Sequence, residues 1–150
     1  MNVCSRKAIA ESVDQEGFSY PMIDPEKCVS CGLCRKACPV LSPAKGCPEP
    51  DEVYAAKTSD PDLRRISSSG GIFGMLAEKT LSRNGAVFGA ALDKHMKVAH
   101  ICVTEAETLK KLYGSKYVQS AMQDIPQQVK ARVDNGEKVL FCGTPCQVAG

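Results

Sequence analysis

Cys28-Val29-Ser30-Cys31-Gly32-Leu33-Cys34-Arg35-Lys36-Ala37-Cys38-Pro39 reads C-x2-C-x2-C-x3-C-P. Steps of two residues let three thiolates wrap one face of an iron–sulfur cube. Gly32 permits close backbone approach to sulfide, and Pro39 bends the chain away after the fourth cysteine. The competing reading is a zinc ribbon or a group of structural thiols. Zinc sites usually come as two separated C-x2-C pairs, not three cysteines in consecutive steps. The spacing therefore points to a 4Fe–4S cluster on Cys28, Cys31 and Cys34, which still needs a fourth ligand.

In bacterial two-cluster ferredoxins the fourth cysteine of such a run ligates the other cluster. Cys38 is thereby assigned to a second cluster. Cys4 is the candidate to complete the first set. It lies in Asn2-Val3-Cys4-Ser5-Arg6-Lys7-Ala8-Ile9, which reads like the tail of an earlier copy of the motif. The expected metal ligands are Cys4, Cys28, Cys31, Cys34 and Cys38, with one ligand set complete and the second truncated. Cys47, beside Pro48 in a polar stretch, reads as a free thiol in a loop.

Working outward, nine cysteines in 150 residues is an odd number, and no apolar secretory run opens the chain. A secreted disulfide scaffold would more naturally carry an even count. A reducing, cytoplasmic setting is expected, where clustered cysteines bind metal or do redox chemistry. Lys and Arg total 19 and Asp and Glu 17, a net charge of +2. With no basic cluster, binding to nucleic acid through bulk charge is not expected. No stretch approaches the roughly 18 apolar residues of a membrane helix, so no membrane insertion is expected.

Composition divides the chain into residues 1–47, a ferredoxin-type segment with little core of its own, a linker over 48–66, and 67–150. The linker is punctuated by prolines and has one short strand expected in Val53-Tyr54-Ala55-Ala56. Beyond it, apolar residues at Ile72, Phe73, Leu76, Ala77, Thr80 and Leu81 follow a helical period, ended by Asn84-Gly85. Strands are expected over 86–92 and 98–103, joined as a hairpin by a polar turn. Thr104 and Glu107 resemble a capping box for a helix to about 112. Tyr117-Val118 is expected as a short strand, Ile125, Val129 and Val133 mark a helix, and Val139 to Cys142 forms a buried strand. Cys102 and Cys142 read as core, as small buried cysteines often are. His100 reads as structural and His95 as exposed.

Three segments carry a resemblance: Arg65-Ile66-Ser67-Ser68-Ser69-Gly70-Gly71-Ile72-Phe73, Tyr113-Gly114-Ser115-Lys116-Tyr117-Val118-Gln119-Ser120, and Val139-Leu140-Phe141-Cys142-Gly143-Thr144-Pro145-Cys146-Gln147-Val148-Ala149-Gly150. With Gly85-Ala86-Val87-Phe88-Gly89-Ala90 and His100, they resemble the N-terminal domain of the coenzyme F420 hydrogenase/dehydrogenase beta subunit family. Members similar to this chain carry a two-cluster ferredoxin segment ahead of that domain. The resemblance implies an iron–sulfur flavoprotein that binds FAD. It implies electrons passing between clusters, flavin and a hydride-carrying partner such as coenzyme F420. The implied partner is a redox protein or soluble electron carrier, within a hydrogenase-like or dehydrogenase-like complex. The implied architecture is α+β: a small ferredoxin-like iron–sulfur segment followed by an α/β flavin-type domain, incomplete at both ends. Because Met1 falls inside the first motif and Gly150 follows a strand and turn, a partial sequence of a longer protein is expected.

The expected cofactor contacts are Ser67, Ser68, Ser69, Gly70, Gly71, Ser115, Lys116, Gly143, Thr144 and Cys146. The Ser-Gly loop precedes a helix, where free N–H groups favour an anion such as the FAD pyrophosphate; a plain serine N-cap is the other reading. Gly143 and Thr144 follow a strand at the end where open α/β sheets bind ligands. Cys146 lies by the flavin, ligates a cluster or is buried, and the residues leave these open. Lys116 meets a phosphate or flavin carbonyl, or is solvated. No residue qualifies as a general acid or base. The alternative function is a ferredoxin-like adaptor without flavin.

Overall fold

A computed structural model describes residues 3–43 and 50–149. Its contacts gather into two units, Met1–Pro48 with Thr144–Gly150, and Glu49–Gly143. The architecture is α+β, with a two-stranded and a three-stranded sheet. No helix among the described residues is long and apolar enough to cross a membrane.

The first unit is organised by an antiparallel hairpin of β1 (Ile9–Val13) and β2 (Ser19–Ile23). Ile9 faces Ile23 at its base and Val13 faces Ser19 at its far end. The turn is set by Asp14, whose carboxylate accepts the amides of Glu16 at 3.0 Å and Phe18 at 2.8 Å, with Gly17 at φ 89°. This is the local bonding that makes Asp a turn residue. Composition alone gives no sign of this hairpin, because most of its side chains are exposed. Helix α1 (Leu33–Ala37) starts from Gly32 at φ 74°.

The second unit is a mixed sheet in the order β4-β3-β5. Strand β3 (Ala86–Leu92) pairs antiparallel with β4 (Val98–Val103) and parallel with β5 (Val139–Phe141). Because side chains alternate along a strand, β3 presents Val87 and Ala91 to one face and Ala86 and Phe88 to the other. The first face packs with Ala77 of α3 (Ile72–Leu81), Leu109 of α4 (Ala106–Leu109) and Leu112 of the 3-10 turn Lys110–Leu112. The second packs on Ile125 of α5 (Ile125–Asp134). Apolar residues on both faces explain why β3 reads as a continuous apolar run.

Helix α2 (Pro61–Ile66) lies within the stretch read as a linker. Asp60 caps it, accepting the amides of Asp62 at 2.9 Å and Leu63 at 3.1 Å, and Leu63 is buried. Residues 53–56 form no strand. Neither do Tyr117 and Val118; Tyr117 is 93% exposed, and the sheet instead takes a parallel bridge from Ala121 to Ala99. The capping box is also absent, since Glu105 is the N-cap of α4 and no side chain bonds there.

Candidate metal centre

The chain winds round a cavity of about 320 Å³ in the first unit, lined by Cys4, Cys28, Cys31 and Cys34. Three backbone reversals shape it, at Lys7 (φ 50°), Ser30 (φ 53°) and Gly32 (φ 74°). Only glycine enters this region freely, so Lys7 and Ser30 are held there by their surroundings. Ala8, 2% exposed, anchors the first loop, and its carbonyl accepts the Asp24 amide at 2.8 Å. The Cys28 amide then bonds the Asp24 carbonyl at 3.0 Å. Ile9 and Ile23, the base pair of the hairpin, form one wall with Val29 and Leu33.

The thiols are free; Cys4, Cys28 and Cys34 are half-buried and Cys31 is exposed. The Ala8 amide donates to Cys4 Sγ at 3.4 Å, which fixes the position of that sulfur. Among the described residues, no three Cys, His, Asp or Glu side chains converge as ligands of one ion. A single zinc with bonds of about 2.3 Å would draw its thiolates to within about 4 Å of each other. A four-iron cube takes one thiolate at each corner, and four thiols line this cavity.

Cys38 does not line this cavity. It caps α1, its amide bonding the Arg35 carbonyl at 3.3 Å and its carbonyl accepting the Ser42 amide at 2.8 Å. Cys47 lies outside the described residues.

The expected flavin contacts fall in separate segments, and the Gly70 carbonyl accepts the Thr58 amide at 2.7 Å. Ser67 Oγ donates to the Leu63 carbonyl at 2.7 Å, while Ser68 and Ser69 are exposed. The N-cap of α3 is Gly71, with no side-chain bond, so the serine N-cap reading does not hold. Gly70 is required by packing: a Cβ there would lie 2.5 Å from the Ala56 carbonyl oxygen. At Gly71 (φ 79°) a Cβ would lie 2.6 Å from Thr58 Cγ2.

Ser115 is exposed. Lys116 Nζ donates to the carbonyls of Tyr113 at 2.8 Å and Lys111 at 3.1 Å, and burial pushes its ammonium below the ordinary lysine range. Gly143, Thr144 and Cys146 are all exposed, which removes the buried reading of Cys146. Thr144 Oγ1 lies 3.1 Å from Cys146 Sγ, and its amide donates to Gln147 Oε1 at 2.9 Å, at the start of α6 (Pro145–Ala149).

His100 is 5% exposed and uses both ring nitrogens. Nε2 lies 3.0 Å from the Cys142 carbonyl and Nδ1 2.7 Å from Ser120 Oγ. The carbonyl can only accept, so Nε2 carries the proton. The ring stacks on Phe141 with centroids 5.4 Å apart, and burial lowers its pKa. Cys142 is exposed rather than core, because β5 ends at Phe141. Cys102 is half-buried, and burial raises its thiol despite the nearby Arg132.

Sequence reasoning missed Arg6 and Arg35, which line the cavity. Their signal is local, since each directly follows or precedes the ligand loops.

Residues 21–42 match the 4Fe-4S binding domain, and residues 53–125 match the N-terminal part of the coenzyme F420 hydrogenase/dehydrogenase beta subunit. No match is found among curated proteins. Iron–sulfur binding and this family together give the chain an electron-transfer role in an oxidoreductase. The two matches set a 4Fe–4S binding domain ahead of a segment similar to the N-terminal part of the coenzyme F420 hydrogenase/dehydrogenase beta subunit.

Proposed function

We propose that the chain passes electrons between a 4Fe–4S cluster, FAD and a hydride-carrying partner such as coenzyme F420. The carrying observation is the cavity lined by Cys4, Cys28, Cys31 and Cys34 within a unit whose residues 21–42 match a 4Fe–4S domain. Those four thiols hold the cluster, and Cys38, turned to a separate position, serves a second. The ferredoxin-type segment is residues 1–47, and the flavin-type domain is 67–150 with the α2 segment packed onto it.

When bound, the cofactors supply one-electron and hydride chemistry, and the protein's part is binding, orientation and electrostatics. The Ala8 amide orients Cys4 by donating to its sulfur. Ile9, Ile23, Val29 and Leu33 give the cavity an apolar wall. For FAD, the support is the family match. It is compatible with the exposed Ser68 and Ser69 hydroxyls and the N-terminus of α3, which no side chain caps. Lys116, Gly143, Thr144 and Cys146 are offered as further contacts. A cytoplasmic setting is part of the proposal, because clustered metal-binding cysteines suit a reducing compartment.

Anaerobic purification with a visible spectrum tests the reading. Flavin bands beside broad cluster absorption support it, cluster absorption alone supports the adaptor, and a colourless protein overturns both. Ser68→Ala with Ser69→Ala is the cleaner probe of flavin contact, because Gly70 and Gly71 are needed by the fold itself. Lower FAD occupancy at unchanged stability is expected.

A further inference from the structure

We propose that the rim of the cysteine cavity is a docking surface for a small acidic one-electron carrier protein. This rests on the iron–sulfur reading of the same cavity and extends it to the partner. Arg6 and Arg35 line the cavity, and their neighbours Lys7 and Lys36 extend the positive charge along the same two segments. All four are exposed, and none forms an ion pair with a described residue. No Asp or Glu lines the cavity.

Most carboxylates of this unit are placed on the hairpin or paired. Asp24 is paired with Lys27 at 2.7 Å, and Glu26 is exposed beside that pair. Glu11 is midway along β1, while Asp14 and Glu16 occupy the hairpin turn. The turn lies about 14 Å along the strands from the Ile9–Ile23 base pair that borders the cavity. The unit is therefore positive at its cysteine end and negative at its hairpin tip. That polarity turns the cysteine end toward an anionic partner during encounter.

The centre of the surface is apolar. Ile23, Val29 and Leu33 line the cavity and are 51%, 60% and 46% exposed. An apolar centre with a charged rim is the usual anatomy of a transient protein interface. Cys31, the exposed thiol of the four, lies at this surface. One electron leaves the reduced carrier and enters the chain, with no bond made or broken.

The test is equilibrium binding of the full chain to an acidic 2Fe–2S ferredoxin, native or with its surface carboxylates amidated. Binding should weaken with salt, since charge attraction is screened within about 10 Å at about 0.1 M. Amidation, or Arg6→Glu with Arg35→Glu, should weaken it about tenfold or more at low salt. Arg6→Gln with Arg35→Gln, a milder change, should give a smaller loss in the same direction. Lys94→Glu, in the exposed β3–β4 turn, should change nothing. Equal affinity for native and amidated ferredoxin, or preference for anionic lipid vesicles, would overturn the surface assignment. Iron analysis of the same preparation separates the two levels, because an iron-free chain overturns the cluster reading and the carrier with it.

Discussion

His100 offers a test of how the second unit holds its sheet. Replacing it with Phe keeps a ring against Phe141 and much of the volume, but removes both polar contacts. The Ser120 hydroxyl, half-buried, loses its partner at 2.7 Å, and the Cys142 carbonyl loses its donor at 3.0 Å. An unsatisfied buried group costs about 1–3 kcal/mol. Cys142 is exposed, so water can replace the lost donor there. His100→Phe should therefore cost about 2 kcal/mol in urea unfolding followed by circular dichroism. A pH dependence comes with it. Burial lowers the folded pKa of His100, while the unfolded chain titrates near the ordinary value of about 6.5. Below that value the unfolded state binds the proton that the folded state refuses. The stability contribution is thus fully present above about 6.5 and is lost as pH falls. If the folded ring stays neutral, the loss between about pH 7.5 and about pH 5.5 is about 1.4 kcal/mol. His100→Phe should remove this component of the slope. A variant of unchanged stability, or one with the parental pH slope, would refute a buried neutral His100 bridging Ser120 and Cys142.

Other substitutions separate packing from chemistry. Gly70→Ala should lower stability by about 1–3 kcal/mol, because its Cβ meets the Ala56 carbonyl oxygen at 2.5 Å and a backbone segment must move; thermal unfolding reads this directly. Asp60→Ala removes the α2 cap and should cost about 1 kcal/mol in the same assay. Cys4→Ala removes a thiol from the cavity and should abolish stable iron loading of the full chain, whereas Cys38→Ala should leave iron in the cavity; equal loss from both would show that Cys38 belongs to the same ligand set.

Much of the second unit is readable without coordinates because its signals are local. Strands 86–92 and 98–103 are bounded by a continuous apolar run and by Asp93, whose carboxylate accepts the amides of His95 at 2.8 Å and Lys97 at 2.9 Å. Asn84 takes φ 55° as the helix ends, a conformation Asn tolerates. The β1–β2 hairpin is not readable in the same way. Ile-Ala-Glu-Ser-Val and Ser-Tyr-Pro-Met-Ile carry no clean alternation, because neither face meets a substantial core. Tyr117 and Val118 mislead through β-favouring side chains that no neighbouring strand receives, whereas Ala121 finds β4 and bridges to it. Cys142 misleads by one position, since the chain leaves the sheet after Phe141.

The site divides on similar lines. Spacing alone singles out Cys28, Cys31 and Cys34 as the proposed ligands, because all three fall within seven residues. Cys4 is brought to them by Ala8, whose amide reaches Cys4 Sγ and whose carbonyl takes the Asp24 amide. Arg6 and Arg35 are ordinary surface cations in the sequence. Their meaning comes only from sharing a cavity with four thiols.

The central claim is that Cys4, Cys28, Cys31 and Cys34 hold one iron–sulfur cube. Metal and acid-labile sulfide analysis of the anaerobically reconstituted full chain tests it most directly. About four iron and about four sulfide per chain are expected from the complete ligand set. Zinc in place of iron, with no sulfide, would contradict it.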